Sequence, residues 1–151
     1  VEELSTAAAN KSITLTAHTE PLTVVGMPDA IHLMVVNLTD NAIRYTPEGG
    51  RIEIGVELRN NAAHITITDD GPGIAVEERE RVFERFYRAL GTKVSGTGLG
   101  LAIVSRIVQM HSGNIRVTDG FARKGPDGSD GFGAQFVVTL PLTQKQMPRL
   151  S

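Results

Sequence analysis

The chain has 151 residues, 40% of them hydrophobic and 21% charged, which is the composition of a soluble globular protein with room for a real core. The formal net charge of −2 gives no general attraction to nucleic acid or anionic membranes, and the absence of cysteine excludes thiol catalysis and thiolate metal sites. No apolar run approaches the roughly 20 residues that cross a bilayer, and no signal peptide opens the chain. Because it begins at Val1 rather than Met, we expect a fragment of a longer protein, with residues 1–151 as a single domain.

The first half of the chain predicts helices and strands in alternation. Residues 1–10 are typical of the end of a helix, while residues 13–18 and 22–25 have the pattern of short strands. Pro28 and Asp29 open a predicted helix that runs to about Tyr45. The stretches RIEIGVEL and HITITDD, joined by the turn residues Asn60 and Asn61, then predict a β-hairpin.

The second half predicts two helices and two strands. Residues 76–89 indicate a charged helix, residues 90–98 a flexible segment, and residues 99–111 an apolar helix that Ser112 and Gly113 end. Strands are predicted at 114–118 and 134–140, and the intervening segment 120–133 is so rich in Gly, Asp and Pro that we expect an unstructured loop. This order of elements predicts an α+β fold, with one mixed sheet covered on one face by helices.

Two asparagines share a face of the first long predicted helix. Asn37 and Asn41 are four residues apart, and Arg44 and Tyr45 continue that face one turn further on. Burying an asparagine without hydrogen bonds costs roughly 1–3 kcal/mol, so two of them in an apolar helix suggest a ligand for amide oxygens. Mg²⁺ accepts such neutral oxygens together with phosphate oxygens. An ordinary pair of core or exposed asparagines explains these residues equally well.

The segment Asp69-Asp70-Gly71-Pro72-Gly73 follows a predicted strand. Two glycines in a turn allow backbone to approach a flat ligand closely, and a carboxylate at this strand end could accept a hydrogen bond from an amine such as N6 of adenine. An ordinary Asp-Gly turn is the alternative interpretation.

Two further clusters follow. RVFERFYR at 81–88 has aromatic residues at helical spacing, which core or lid packing usually explains. GTGLGL at 96–101 offers N–H groups and the positive end of a helix dipole to phosphate. It is not a dinucleotide fingerprint, because Leu101 stands at the third glycine position, and not a P-loop, because Thr97 stands where the lysine must be. No cluster of histidines predicts zinc.

In this order and spacing, NLTDNAIRYTPEGG, DDGPGI, FERFYR and GTGLGLAIV resemble the N, G1, F and G2 boxes of sensor histidine kinases, and the resemblance extends from about residue 13 to residue 140. It implies a two-layer α/β sandwich with a mixed, mostly antiparallel sheet and helices on one face. This Bergerat-type ATP-binding fold is shared with chaperone, gyrase and mismatch-repair ATPases.

The resemblance implies ATP and Mg²⁺ as ligands. It assigns Asp69 to the adenine amine and Asn41 to Mg²⁺, with Asn37 beside it at the metal and phosphates. Arg44 takes the place of a basic residue that positions phosphate, and Tyr45 that of an aromatic beside the nucleotide. The other implied nucleotide contacts lie in the adenine turn, the lid and the helix after it: Gly71, Gly73, Ile74, Arg88, Lys93, Gly96, Thr97, Gly98, Leu99, Gly100 and Leu101.

The implied reaction is transfer of the γ-phosphoryl group of ATP to a histidine on a separate dimerisation domain, and then to a response regulator. Such a reaction needs mainly positioning and charge neutralisation. None of the four histidines lies in the family's acceptor motif, so we expect this fragment to bind ATP without phosphorylating itself. The resemblance also implies a cytoplasmic position within a protein of the inner membrane.

One departure from the family bears on the alternatives. Many members carry Glu or Gln one turn before the first asparagine, where this chain has Leu33. A clamp-type ATPase would hydrolyse ATP with a glutamate at that position, so Leu33 argues against it. A signalling module that binds nucleotide without catalysis stays open, although Asn41, Asp69 and the glycine lid argue against it.

Overall fold

The computed structural model describes residues 2–19, 28–84, 100–125 and 127–141. Within these ranges the regular elements are three α-helices, two 3-10 turns and five strands. In chain order they are α1 (Glu2–Asn10), β1 (Thr14–Thr19), α2 (Pro28–Tyr45), β2 (Arg51–Arg59), β3 (Ala62–Asp69), the 3-10 turns Val76–Glu78 and Arg81–Phe83, α3 (Gly100–Met110), β4 (Asn114–Lys124) and β5 (Asp130–Pro141).

The five strands form one mixed sheet in the order β1-β2-β3-β5-β4. β1 pairs with β2 in parallel and every other pair is antiparallel. The register aligns Ile54, Ile67, Phe136 and Val117 across four strands, so alternate residues bring apolar side chains to one face. The predicted α+β fold with a mixed, mostly antiparallel sheet is therefore confirmed.

Helices pack on the apolar face of the sheet. The inward side of α2 contributes Met34, Leu38 and Ala42, all with 0% exposure, and α3 contributes Val104 and Val108. The opposite face carries mostly polar side chains, such as Glu53, Thr66, Arg116 and Gln135. None of the described helices is long and apolar enough to span a membrane.

The ends of the elements follow local chain chemistry. Asn60 and Asn61 both have positive φ, 53° and 59°, as a tight two-residue hairpin turn requires, so the hairpin prediction is confirmed. α3 ends at Met110 and is followed by a left-handed Ser112 with φ 55°, and Gly113 N–H donates to the carbonyl of Val108 at 2.9 Å. A Cβ on Gly113 would lie 2.5 Å from the carbonyl oxygen of Thr139, so glycine is needed there for close packing against β5.

The charged helix predicted for residues 76–89 is wrong for the part that the structure describes. Residues 76–84 form two separate 3-10 turns, and Glu84 leaves the second one with extended backbone. Side-chain packing holds this segment: Val82 is buried, and Phe83 meets Phe136 edge to face at 6.2 Å. Tertiary contacts therefore override the helical spacing of these residues. The remaining residues, 85–89, lie outside the described part, as do the predicted strand 22–25 and the segment 90–98.

The unstructured loop predicted for residues 120–133 is also wrong. β4 and β5 continue as a hairpin whose outer pairs include Ala122↔Phe132 and Lys124↔Asp130. The register shifts between Asp119 and Ala122, which is the signature of a bulge. We call the described part of this extension, residues 119–125 and 127–134, the long hairpin. Its glycines and aspartates serve a bulge, a turn and close packing rather than disorder.

Candidate nucleotide site

The carboxylate of Asp69 lies buried at the end of β3, with only 4% of the residue exposed. Its Oδ1 accepts hydrogen bonds from the backbone N–H of Gly71 at 2.9 Å and of Ala134 at 3.0 Å. No donor among the described residues reaches Oδ2. One oxygen is thus held by the protein while the other can accept a hydrogen bond from a ligand.

Burial raises the pKa of Asp69, and the nearby Asp70 adds to this, although the backbone hydrogen bonds from Ala134 and Gly71 act in the opposite direction. A charged, buried carboxylate with an unused oxygen is unfavourable without a partner. A ligand amine at Oδ2 would relieve that cost, so the site fits a donor group such as the exocyclic amine of adenine.

The raised pKa has a consequence for stability. The native state keeps the Asp69 proton at pH values where the unfolded chain, with the ordinary value of 3.8, has released it. The contribution of this group to the free energy of unfolding therefore decreases as pH rises from 3.8 through the higher native pKa. We expect Asp69→Asn, which cannot titrate, to gain Tm relative to the wild type across that window without nucleotide. A Tm difference that is constant from about pH 3.5 to about pH 7 in thermal unfolding would contradict this.

The glycines after Asp69 allow close approach of protein backbone. A Cβ on Gly71 would lie 3.0 Å from the carbonyl oxygen of Tyr45, and one on Gly73, whose φ is +72°, would lie 2.4 Å from that of Phe132. The turn is therefore confined between the end of α2 and β5. Our sequence interpretation anticipated close backbone approach of a ligand here, and in this structure the approaching atoms belong to the protein itself.

Asp70 has a structural role that separates it from its neighbour. Its Oδ1 accepts the backbone N–H of Arg51 at 2.9 Å and so joins the end of β3 to the start of β2. Of the two consecutive aspartates, Asp69 is the buried one, and both of its described hydrogen bonds use Oδ1, which leaves Oδ2 for a ligand.

The two asparagines of α2 lie beside the start of α3. Asn37 Nδ2 donates to the carbonyl of Leu33 at 2.9 Å, and a Cβ on Gly100 would lie 3.1 Å from Asn37 Oδ1. Asn41 is partly exposed and makes no side-chain hydrogen bond within the described residues. The structure thus places Gly100 next to Asn37, while the amide of Asn41 can take a ligand.

Arg44 and Tyr45 end α2. Arg44 Nε donates to Asp40 Oδ2 at 2.8 Å, an i,i+4 pair in which both side chains are about 40% exposed. An exposed pair of this kind is weak, so a phosphate could compete with Asp40 for the guanidinium. Tyr45 is partly buried, and its carbonyl is the atom that faces Gly71.

The remaining predicted residues divide into two groups. Ile74 and Leu101 are partly buried and pack against the hydrophobic core, so their side chains support the site from the protein side. The others lie outside the described residues: Arg88, Lys93, Gly96, Thr97, Gly98 and Leu99.

The donor set suits a metal that arrives with phosphate. Within the ranges that the structure covers, no three His, Asp or Glu side chains are grouped to hold a metal ion. Mg²⁺ is commonly bound by one or two protein oxygens plus substrate phosphates and water. The amide oxygens of Asn37 and Asn41 fit such a shared site.

Sequence reasoning missed the contribution of the long hairpin. Ala134 supplies one of the two N–H groups that hold Asp69, and Cβ atoms on Gly133 and Gly120 would lie 2.0 and 2.4 Å from the Asp69 carbonyl oxygen. The sequence did contain a clue to this contact. Gly120 and Gly133 stand next to residues with the alternating pattern of strands, and a glycine in a strand indicates close approach of another backbone as often as a loop.

Comparison with known proteins agrees with this geometry. The family model described as histidine kinase-, DNA gyrase B- and HSP90-like ATPase matches residues 26–144. The chain therefore belongs to this family, as a histidine kinase-type ATPase domain. The sensor protein kinase PmrB of Pseudomonas aeruginosa is 42% identical over 150 residues, 99% of this chain, and the chain spans 30% of that relative's length.

Solved structures are similar over nearly the whole chain. The mycobacterial sensor histidine kinase MprB has a TM-score of 0.79 and 32% identity, with 93% of this chain and 91% of that chain covered. Full-length ShkA in complex with AMPPNP has a TM-score of 0.78 and 28% identity, with 98% of this chain and 29% of that chain covered.

Proposed function

We propose that the 151 residues form one domain that binds Mg²⁺-ATP and provides the phosphoryl donor site of a sensor histidine kinase. The observation that carries this proposal is the buried Asp69, with Oδ1 held by two backbone N–H groups and Oδ2 available. An adenine amine donates one hydrogen bond to Oδ2, and Gly71 and Gly73 keep the turn close enough to enclose the ring. The similarity to a kinase bound to AMPPNP, an ATP analogue, is consistent with this ligand.

The phosphates lie, in this proposal, between α2 and the start of α3. Asn41 and Asn37 offer amide oxygens to Mg²⁺, which neutralises phosphate charge when it is bound. Arg44 leaves Asp40 to position a phosphate. The N-terminus of α3 at Gly100 directs backbone N–H groups and the positive end of its dipole toward the same region. Further phosphate contacts are proposed from residues outside the described ranges: Arg88, Lys93, Gly96, Thr97, Gly98 and Leu99.

A neutral imidazole nitrogen of a histidine on a separate dimerisation domain attacks the γ-phosphorus of ATP. The new N–P bond forms as the bond to the β–γ bridging oxygen breaks, ADP leaves, and the phosphorylated ring then releases its N–H proton to water. A response regulator receives the phosphoryl group next. An imidazole is already nucleophilic. The domain therefore needs to position the ATP and neutralise its phosphate charge rather than to supply a strong base. Leu33, exposed at 45% one turn before Asn37, offers no general base for water, which favours phosphoryl transfer over hydrolysis.

The proposal is tested by mixing this domain and Mg²⁺ with γ-labelled ATP and a separate protein that carries the cognate pair of histidine helices. We expect label on the partner in an acid-labile, base-stable linkage, and none on this domain alone. Release of labelled phosphate with no labelled protein would instead support a clamp-type ATPase. Absence of ATP binding would remove both functions.

Asn41→Ala tests the metal assignment. Alanine favours the helix, so the fold should be retained. We expect affinity for Mg²⁺-ATP to fall about 10- to 100-fold, while affinity for ATP with a chelator is unchanged. Isothermal titration with and without Mg²⁺ makes the comparison, and Gln109→Ala, which removes an exposed amide from α3, is the matched control. Unchanged Mg²⁺-ATP affinity in Asn41→Ala would remove Asn41 from the metal site.

We further propose that the domain lies in the cytoplasm, where ATP is available, within a protein anchored in the inner membrane by segments beyond these residues. Fractionation of the full-length protein, with protease access to this domain only after the membrane is opened, would test the placement.

A further inference from the structure

Arg79 lies between the two 3-10 turns and makes two hydrogen bonds with different parts of the chain. Its Nε donates to the carbonyl of Ile74 at 2.9 Å, and its Nη2 donates to Asp119 Oδ1 at 2.7 Å. The Arg79 side chain is only 22% exposed, whereas Asp119 is 58% exposed. No role for Arg79 follows from the four sequence clusters described above.

The two partners of Arg79 lie on opposite sides of the buried carboxylate. Ile74 ends the glycine turn that begins after Asp69. Asp119 is the cross-strand partner of Ala134, whose N–H donates to Asp69 Oδ1 at 3.0 Å. A single guanidinium therefore joins the turn and the base of the long hairpin, the two segments that supply the N–H donors to Asp69.

The base of the long hairpin is held closely against β3 from its own side as well. The backbone at Gly120 and Gly133 packs directly against the carbonyl of Asp69. A small movement of the hairpin therefore also moves the N–H of Ala134, which donates to Asp69 Oδ1. Beyond this base, the hairpin is fastened by Phe121, whose ring lies 3.7 Å from the guanidinium carbon of Arg51. The glycine turn also meets the long hairpin through backbone, where Gly73 packs against the carbonyl of Phe132.

We propose that Arg79 is a positioning residue for adenine recognition: by bridging the Ile74 carbonyl and the Asp119 carboxylate, it holds the glycine turn and the long hairpin in the register that aims Asp69 Oδ2 at the ligand. This rests on the proposed adenine role of Asp69. The planar guanidinium is suited to the task because its N–H groups point in fixed, diverging directions. A lysine ammonium is a compact point charge on a flexible stem and cannot satisfy both partners in that geometry.

The role differs from that of an ordinary surface ion pair, which contributes little to stability. Without Arg79, the two N–H donors of Asp69 remain, but their relative position is held less tightly, by backbone packing such as that of Gly73 against Phe132 and of Gly133 against Asp69. Adenine binding should suffer because it depends on the direction of Oδ2, while phosphate binding at α2 and α3 should not. Loss of adenine recognition without loss of phosphate affinity is the expected signature.

The test compares Arg79→Met, Arg79→Lys and wild type in isothermal titrations with Mg²⁺-ATP and with Mg²⁺-tripolyphosphate. We expect both variants to bind ATP about tenfold more weakly and tripolyphosphate equally well. The matched control is Lys124→Met, which removes an exposed 3.2 Å ion pair with Asp130 from the same hairpin and should leave both affinities unchanged. Thermal unfolding of each variant reports its stability separately.

Equal ATP affinity in wild type and Arg79→Met would overturn the inference, and so would full rescue by Arg79→Lys. Parallel losses of ATP and tripolyphosphate would show general loosening and overturn it as well. If Arg79→Met does not fold, the decision passes to Arg79→Lys, which keeps the charge, with the same two titrations. Wild-type protein that fails to bind ATP would refute the proposed function instead, so the two failures are distinguishable.

Discussion

Asp69→Asn is expected to lower ATP affinity about 100-fold while leaving the fold intact. Asparagine is nearly isosteric, and its oxygen can still accept the N–H groups of Gly71 and Ala134. Its amide nitrogen then stands where Oδ2 was and presents a donor to the donor amine of adenine. A charge-assisted hydrogen bond is lost and two buried donors are left facing each other, about 3 kcal/mol in total.

The measurement is a titration with Mg²⁺-ATP and with Mg²⁺-tripolyphosphate, which lacks adenine. Only the first affinity should fall. Asp70→Asn is the matched control. Its amide oxygen can still accept the hydrogen bond from the Arg51 N–H, and residue 70 has no proposed contact with the nucleotide. Equal losses for the two ligands would contradict the adenine role of Asp69.

Gly133→Ala is expected to produce the second large effect, on stability and on the site together. The added Cβ would lie 2.0 Å from the Asp69 carbonyl oxygen and 2.8 Å from its Oδ1, and the backbone oxygen cannot rotate away. Overpacking of this kind costs about 1–3 kcal/mol, or roughly 2–4 °C of Tm for each kcal/mol in a chain of this size. The displaced Ala134 N–H should also weaken ATP binding.

Gly131→Ala supplies a control two residues away in the same strand, since nothing lies within 4 Å of a Cβ at that position. Thermal unfolding and ATP titration of the two variants should differ clearly. If Gly133→Ala melts and binds like Gly131→Ala, the long hairpin does not press on Asp69 as described.

Much of the molecule could be predicted from short stretches of sequence. The start of α2 at Pro28, the Asn60-Asn61 hairpin and the end of α3 just before Ser112 all depend on residues within a few positions of one another. The strand end before two glycines pointed to an acidic residue among Asp69 and Asp70 as a candidate ligand group, and the family resemblance assigned that role to Asp69. Backbone preferences and hydrophobic periodicity act between residues a few positions apart, so a short stretch of sequence is enough to predict these features.

Other features depended on contacts that no local pattern encodes. The bond from Ala134 to Asp69 joins residues 65 positions apart, and the bond from Arg79 to Asp119 spans 40. Packing of Phe83 on Phe136 replaced the predicted helix at 76–84 with two turns.

The sequence by itself determined most of the strands and helices outside residues 76–84 and 119–134, the family of nucleotide-binding ATPases and the identity of the candidate ligand groups, because these follow from local backbone chemistry and short motifs. Only the tertiary structure decided that β4 and β5 extend into a long hairpin, that its glycines press against β3, and that Asp69 rather than Asp70 is the buried carboxylate. The physical reason is that burial and hydrogen-bond partners are properties of the assembled chain, set when distant segments pack together.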